Sequence, residues 1–269
     1  MAELGRSPRR PDRHAACPQC GPHRRDPANR RRKVLGIWRH PDGSETTWCV
    51  RCGYSDRRNE PPAARTAPSG KPSDRQAQAR KAGWLWSLSV AAPGTPVDTY
   101  LREGRAIGGP PPPTLRYLPA SGGHRHAMIA AFGLCAEPAP GQLAPPETVC
   151  AVHVTRLGED GRQRLEKRMI GPVSGQPIVL APPNDALGLI ITEGIEDALS
   201  LHTVTGLGAW AAGSAAHLAK LTEAVPAYID CATVIADADP AGDQGAAKLA
   251  CGLKARGLRV EVLSPARHD

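Results

Sequence analysis

The run Leu187-Gly-Leu-Ile-Ile-Thr192-Glu193-Gly194-Ile195-Glu196-Asp197 decides the fold of the C-terminal third of the chain. Leu187–Thr192 is apolar without alternation, the pattern of a strand buried on both faces. Helical spacing takes over across Ile195–Val204. Glu193 therefore stands at the carboxyl end of a strand. Asp197 lies four residues on, where a helix that starts at once puts both carboxylates on one face. A second junction of the same kind follows. Ala232–Ala236 reads as a buried strand, Asp237-Ala238-Asp239-Pro240-Ala241-Gly242 as the turn, and Ala241–Arg256 as a helix. A strand at Gly206–Ala212, a helix at Ser214–Ala224 and a last strand at Leu258–Leu263 complete the alternation. Strand and helix in turn imply a parallel sheet flanked by helices, over residues 181–269.

In an open parallel sheet, ligands bind at the carboxyl ends of adjacent strands. Glu193, Asp197, Asp237 and Asp239 gathered there repel one another unless a cation sits among them. Hard oxygen donors suit Mg²⁺ or Mn²⁺. The alternative is that each acid merely caps a helix. Two strand-ending acidic motifs 44 residues apart, both followed by small residues, favour the metal.

Working outward, residues 74–180 predict a small α+β subdomain. It opens with a helix over Asp74–Val90 that sets Trp84, Leu85 and Leu88 on one side, and a short helix at Val97–Arg102. Strand-like runs follow at Leu115–Leu118, Met128–Phe132, Thr148–Leu157, Leu165–Ile170 and Ile178–Leu180, with a loose insertion at Glu137–Pro146. Residues 59–73 (Asn-Glu-Pro-Pro-Ala-Ala-Arg-Thr-Ala-Pro-Ser-Gly-Lys-Pro-Ser) read as a linker.

Residues 1–58 hold Cys17-Pro-Gln-Cys20 and Cys49-Val-Arg-Cys52. Two Cys-x-x-Cys knuckles offer four thiolates to a tetrahedral ion, which points to structural Zn²⁺ in a ribbon. A redox Cys-x-x-Cys normally stands alone beside a βαβ unit, and here there are two. His14, His23 and His40 lie nearby as exposed loop residues. Cys135, Cys150, Cys231 and Cys251 are scattered and read as small buried hydrophobes. Gly206-Leu-Gly208-Ala-Trp-Ala211 imitates a dinucleotide fingerprint but follows a helix, not a strand.

Composition agrees with several small domains. Gly and Pro supply 56 of 269 residues, and aromatics only 4%. Residues 1–65 carry 15 Arg and Lys against 7 Asp and Glu, which equals the net +8 of the whole chain. The basic excess thus sits at the N-terminus and suits a polyanion, most simply nucleic acid. No apolar run approaches the ~18 residues of a membrane span, and Met1–Arg13 has no secretory apolar core. The expectation is a cytoplasmic protein with no membrane partner and reduced cysteines.

The pair Glu-Gly-x-x-Asp (193–197) and Asp-x-Asp-x-x-Gly (237–242), each after a buried strand, resembles the Toprim domain of primases, topoisomerases and related nucleases, over Leu187–Asp269. A zinc ribbon ahead of it looks like bacterial and phage DNA primases. Tyr100-Leu-Arg-Glu-Gly-Arg105, Thr114-Leu-Arg-Tyr117 and Ala151-Val-His-Val-Thr155, with Lys167 and Arg168, resemble more weakly the segment before the Toprim domain in plasmid- and phage-type primase-helicases. The resemblance implies Glu193, Asp197, Asp237 and Asp239 as magnesium ligands, with Glu193, Asp237 and Asp239 catalytic. Of the basic cluster Arg156, Arg162, Arg164, Lys167 and Arg168, it favours Arg156, Lys167 and Arg168 for nucleic-acid or nucleotide phosphate. Such families often place another acid after the last strand, where Asp269 is the candidate. No Gly-x-x-x-x-Gly-Lys-Ser/Thr helicase motif is present.

The implied function is a DNA primase that joins NTPs into short RNA primers on single-stranded DNA during replication. Its cofactors are Zn²⁺ and Mg²⁺ or Mn²⁺, its partner a replicative helicase, and Trp38 and Trp48 are candidate base-stacking platforms. A Toprim nuclease and a non-catalytic DNA-binding accessory protein of a mobile element are the alternatives.

Overall fold

The computed structural model describes residues 11–24, 27–40, 44–52, 54–58, 74–122, 124–173, 175–183 and 187–264. The linker at 59–73, the first ten residues and Asp269 lie outside these. The chain divides into two compact units, residues 1–70 with 226–228, and residues 71–225 with 229–269.

The first unit is an antiparallel sheet in the order β1 (Arg13–Ala15), β2 (Leu35–Arg39), β3 (Glu45–Cys49), β4 (Ser55–Arg58), with a helical turn α1 (Pro27–Arg30) in the long connection. Register explains the knuckles. Ala15 pairs with Leu35 and Leu35 with Cys49, so the turns holding Cys17 and Cys20, and Cys49 and Cys52, meet at one end of the sheet.

The second unit contains two five-stranded sheets. Helix α2 (Asp74–Leu88) leads into β5 (Val90–Ala91), then α3 (Pro96–Thr99) and a π-helical turn, Tyr100–Gly104. The segment 97–102 is thus a helix interrupted by a π turn. Strands β6 (Leu115–Leu118), β7 (Ala127–Ala131), β8 (Val152–Leu157) and β9 (Arg164–Ile170) join β5 in an antiparallel meander. One face of this meander packs Ile129, Ala131 and Val152 under Ala82 of α2. The other face, with Leu115, Met128 and Phe132, shares a core with Ala209 of the second sheet and with Ile195, Ala198 and Leu199 of the helix that follows that sheet's central strand.

That second sheet runs β10 (Ile178–Ala181), β12 (Gly208–Ala211), β11 (Gly188–Thr192), β13 (Cys231–Ile235), β14 (Arg259–Leu263). Strands β11 to β14 are parallel, and only β10 runs against its neighbour. The run at 178–180 therefore does not extend the antiparallel meander; it closes the edge of the parallel sheet. Helices α4 (Ile195–Thr205), α5 (Ala215–Leu218) and α6 (Pro240–Ala255) are the connections, with a 3₁₀ turn at Ala219–Leu221.

Two side-chain expectations are corrected. Cys150 and Cys251 are exposed, since the meander and α6 bury the residues beside them instead. Trp84 and Leu88 are exposed as well, because α2 turns Ala82, Leu85 and Trp86 inward. Among the described residues no helix is long and apolar enough to cross a membrane.

Candidate functional site

In the first unit all four knuckle cysteines are buried, and their sulfurs lie within 4.8 Å of one another. Cys17 to Cys52 is 3.7 Å and Cys20 to Cys49 is 3.8 Å. A tetrahedral ion with Zn–S bonds of ~2.3 Å has a sulfur–sulfur edge of about 3.8 Å, so the cluster could hold such an ion without rearrangement. Burial pushes the Cys20 thiol up and the Cys52 thiol up to about 11. Against its burial, backbone N–H groups of Cys52 and Arg51 hold the Cys49 thiol below its usual value. An ion bound by this set would take the thiolate forms. His40 Nε2 is within 2.9 Å of Thr46 Oγ1 and belongs to the sheet. Trp48 is 46% exposed, and Trp38 is half-buried. Arg13 and Arg39 both pair with Glu45, the latter at 2.7 Å.

In the second unit, β11 lies centrally in its sheet. Its crossover through α4 leads to β12 on one side, whereas the chain leaves β13 through α6 to β14 on the other. The gap between β11 and β13 is the topological switch point, where an open α/β sheet presents its crevice. Glu193 follows β11, and Asp237 and Asp239 follow β13. A cleft of about 680 Å³ opens there, lined by Asp197, Ser200, Leu201, Asp237 and Asp239.

Two glycines let the acids approach. A Cβ on Gly242 would lie 2.8 Å from the backbone N and O of Asp237, so only glycine lets α6 start against that turn. A Cβ on Gly194 would stand 2.5 Å from Asp197 Oδ2, so the Asp197 carboxylate folds back over the start of α4.

The acids differ in what holds them. Asp239 is the N-cap of α6 and accepts a 2.7 Å hydrogen bond from the Gly242 amide. The capping role is therefore real for this residue. Glu193 lies beside the cleft, with Lys167 Nζ 3.8 Å from Oε1 and the Ala215 amide also donating to its carboxylate. Burial, with Asp237 and Asp239 nearby, raises the Glu193 carboxyl above the usual range, against the opposing Lys167. Burial, Asp237 and Glu196 likewise raise Asp197, opposed by Arg105 and Arg164. The site thus carries more negative charge than its cations offset, which suits a hard divalent ion. Its oxygens are not drawn together as the sulfurs are. Among the described residues, the cysteines alone gather ligand atoms closely enough to hold an ion.

The meander supplies a network that no local pattern announces. Tyr100, fully buried, donates its hydroxyl hydrogen to Glu196 at 2.5 Å, and Arg105 Nε donates to the Tyr100 oxygen at 3.0 Å. Arg164 lies 3.6 Å from the same Glu196 oxygen. Partners 96 residues apart leave no trace in the sequence around either. Beneath them His153 is buried, and burial pushes its imidazole down to about 4, so it is neutral.

The three basic residues singled out from sequence do not act as one patch. Strand pleating sends Lys167 toward Glu193, while Arg168 shares its face with Ile170, which packs toward α2. Arg156, on that same face, is paired with Glu166 at 2.9 Å.

Residues 188–269 match a family model described as Toprim domain. Residues 76–180 match one described as Domain of unknown function (DUF7146). No curated protein matches the chain. Among solved structures, the primase fragment of the bacteriophage T7 primase-helicase protein matches at 16% identity and a TM-score of 0.43, covering 93% of this chain and 90% of that one. A DNA primase domain from Pseudomonas aeruginosa matches at 14% identity and a TM-score of 0.39, covering 71% of this chain and 52% of that one. Likenesses this distant carry no conclusion about activity.

Proposed function

We propose, from the premise that this is a Toprim-domain protein with residues 188–269 as that domain, that it is a primase-type nucleotidyltransferase. It joins NTPs into short RNA primers on single-stranded DNA. The observation that carries this reading is the placement of Glu193, Asp197, Asp237 and Asp239 at the mouths of β11 and β13, with two of them held above their ordinary protonation range. These four acids would hold Mg²⁺ or Mn²⁺, which supplies neutralisation of the triphosphate and activation of the attacking 3′-hydroxyl. Glu193, Asp237 and Asp239 are the catalytic set of this reading.

The rest of the chain has supporting roles. Lys167 stands 3.8 Å from Glu193 and is placed to meet a phosphate at the same point. Arg156 and Arg168 are further phosphate contacts. Zn²⁺ on Cys17, Cys20, Cys49 and Cys52 would fix the ribbon, and the basic excess of residues 1–65 would grip template DNA. A replicative helicase is the expected partner, in the cytoplasm, in plasmid- or phage-type replication. The capping bond of Asp239 to Gly242 and the separation of the acid oxygens are the observations on the side of a non-catalytic DNA-binding protein.

Incubation with Mg²⁺, NTPs and single-stranded DNA separates the readings. Products longer than a dinucleotide support the primase, shortened DNA supports a nuclease, and a mobility shift alone supports the accessory protein.

A further inference from the structure

We propose that the outer side of α2, with Arg168 on the meander face that α2 covers, is a second binding surface for single-stranded nucleic acid. It is separate from the acid cleft, and it rests on the proposed single-strand substrate.

Helix α2 carries two tryptophans two residues apart, with opposite fates. Trp86 packs into the cluster of Ala82, Ile129 and Val152, with the Arg116 guanidinium 5.0 Å from its ring centre. Trp84 is 58% exposed. A large ring left in water forgoes the burial that stabilises its neighbour. Leu88 and Val90 extend the same apolar exposure.

The charge around Trp84 selects the ligand. Arg80 and Lys81 are exposed at four and three residues before it, one helical turn away on the same side. Asp74, at the first position of α2, is the helix's one acid, and none follows in residues 75–97, whereas an ordinary solvated helix mixes both signs along its length. Arg168 is exposed on the meander face that packs under α2. None of Arg80, Lys81 and Arg168 has a carboxylate partner among the described residues.

An exposed ring with unpaired cations one helical turn away offers a base a stacking surface and the adjoining phosphates their counter-charges. A protein partner could also use Trp84, Leu88 and Val90, but the net positive sign, with Glu166 already paired to Arg156, favours a polyanion. The meander separates this face from the one that packs toward the acids. The strand would thus be held at a point remote from the reacting end.

The test is fluorescence anisotropy of a labelled oligo(dT) with the full chain, without added Mg²⁺, at several salt concentrations. Trp84→Ala should weaken binding at least about fivefold, the low end of one lost base stack, while Trp84→Phe recovers most of the loss. Arg80→Gln with Lys81→Gln should lower the slope of log affinity against log salt by about 1.4, two phosphates' worth for a single strand. Melting temperature should stay unchanged in both, because the altered side chains are exposed. Unchanged affinity and slope in both variants overturn the surface and leave the proposed function standing. Unchanged DNA binding with lost self-association makes this face a protein interface and also overturns the proposal. A wild-type chain that binds no oligo(dT) overturns the proposed function and this surface together.

Discussion

Two clusters of four potential ligands lie in this chain, and they are built on opposite plans. The cysteines are buried, drawn within 4.8 Å of one another and carried on two short knuckles at one end of a small sheet. Asp197, Asp237 and Asp239 line an open cleft with Glu193 beside it, and three of the four acids already have another engagement. Asp239 caps α6, Glu193 meets Lys167, and Asp197 folds back against Gly194. A buried soft site with matched spacing needs its ion to fold. An open hard site with unmatched spacing can take its ion late, with part of the coordination left to substrate and water. Under the proposed function the first cluster would serve structure and the second chemistry.

The largest effect should come from breaking the first cluster. Cys49→Ser should abolish metal retention in freshly reduced protein, which should otherwise carry about one zinc per chain. Apparent binding energies of structural zinc are ~10–16 kcal/mol, so the ribbon should lose its order altogether. Limited proteolysis should then cut within residues 14–55 and spare the second unit. Retention of the metal by Cys49→Ser would break the comparison on the side of the cysteines.

Next in size is the second cluster. Asp237→Asn should lower primer synthesis by at least about a hundredfold, since several kcal/mol of charge stabilisation go with the ion. The fold should survive. The same variant should return the Glu193 and Asp197 titrations toward ordinary values, because Asp237 raises both. Carboxyl-resolved NMR titration reads this directly.

The acids also give a pH dependence with a defined sign. Both groups titrate higher in the folded chain than in the unfolded chain, so protons bind the fold more tightly. Their charged forms detract from metal-free stability above that window. As pH falls through the range just above ordinary carboxylate values, the second unit should gain stability from these two groups. Mg²⁺ competes with those protons, so its affinity should fall over the same range. Melting curves against pH, with and without Mg²⁺, would show the two trends cross.

The smallest effects sharpen the role of the cap. Asp239→Ala should cost about 1 kcal/mol of stability, and Asp239→Asn much less, since Asn caps equally well. If Asp239 serves only as a cap, Asp239→Asn retains synthesis. Thr192→Ala should cost a similar ~1 kcal/mol, because the buried Thr192 hydroxyl donates to the Gly194 carbonyl at 2.6 Å.

Much of this was readable from residues alone, for local reasons. Apolar runs at 188–192 and 231–235 announce the two strands that lead into the acidic turns; β11 is buried on both faces as expected, whereas β13 alternates buried and half-buried residues. Knuckle spacing likewise announces the cysteine cluster. What stayed hidden depends on pairings distant in the chain. Tyr100 and Glu196 meet across 96 residues. Ile178–Ala181 reads as one more hairpin strand until its antiparallel pairing with β12 is seen. Trp84 and Trp86 look alike in sequence, and only the rotation of α2 on the meander separates them. Lys167 and Arg168 are neighbours in sequence and opposites in space, because a pleated strand turns successive side chains apart.

The central claim is that the open acid cluster does the chemistry. Ribonucleotide incorporation on single-stranded DNA, measured side by side for the wild-type chain, Asp237→Asn and Glu193→Gln at saturating Mg²⁺, tests it most directly. The account predicts template-dependent primers from the wild type and none from either variant, with melting temperatures little changed in the absence of metal. Primer synthesis retained by both variants would contradict it.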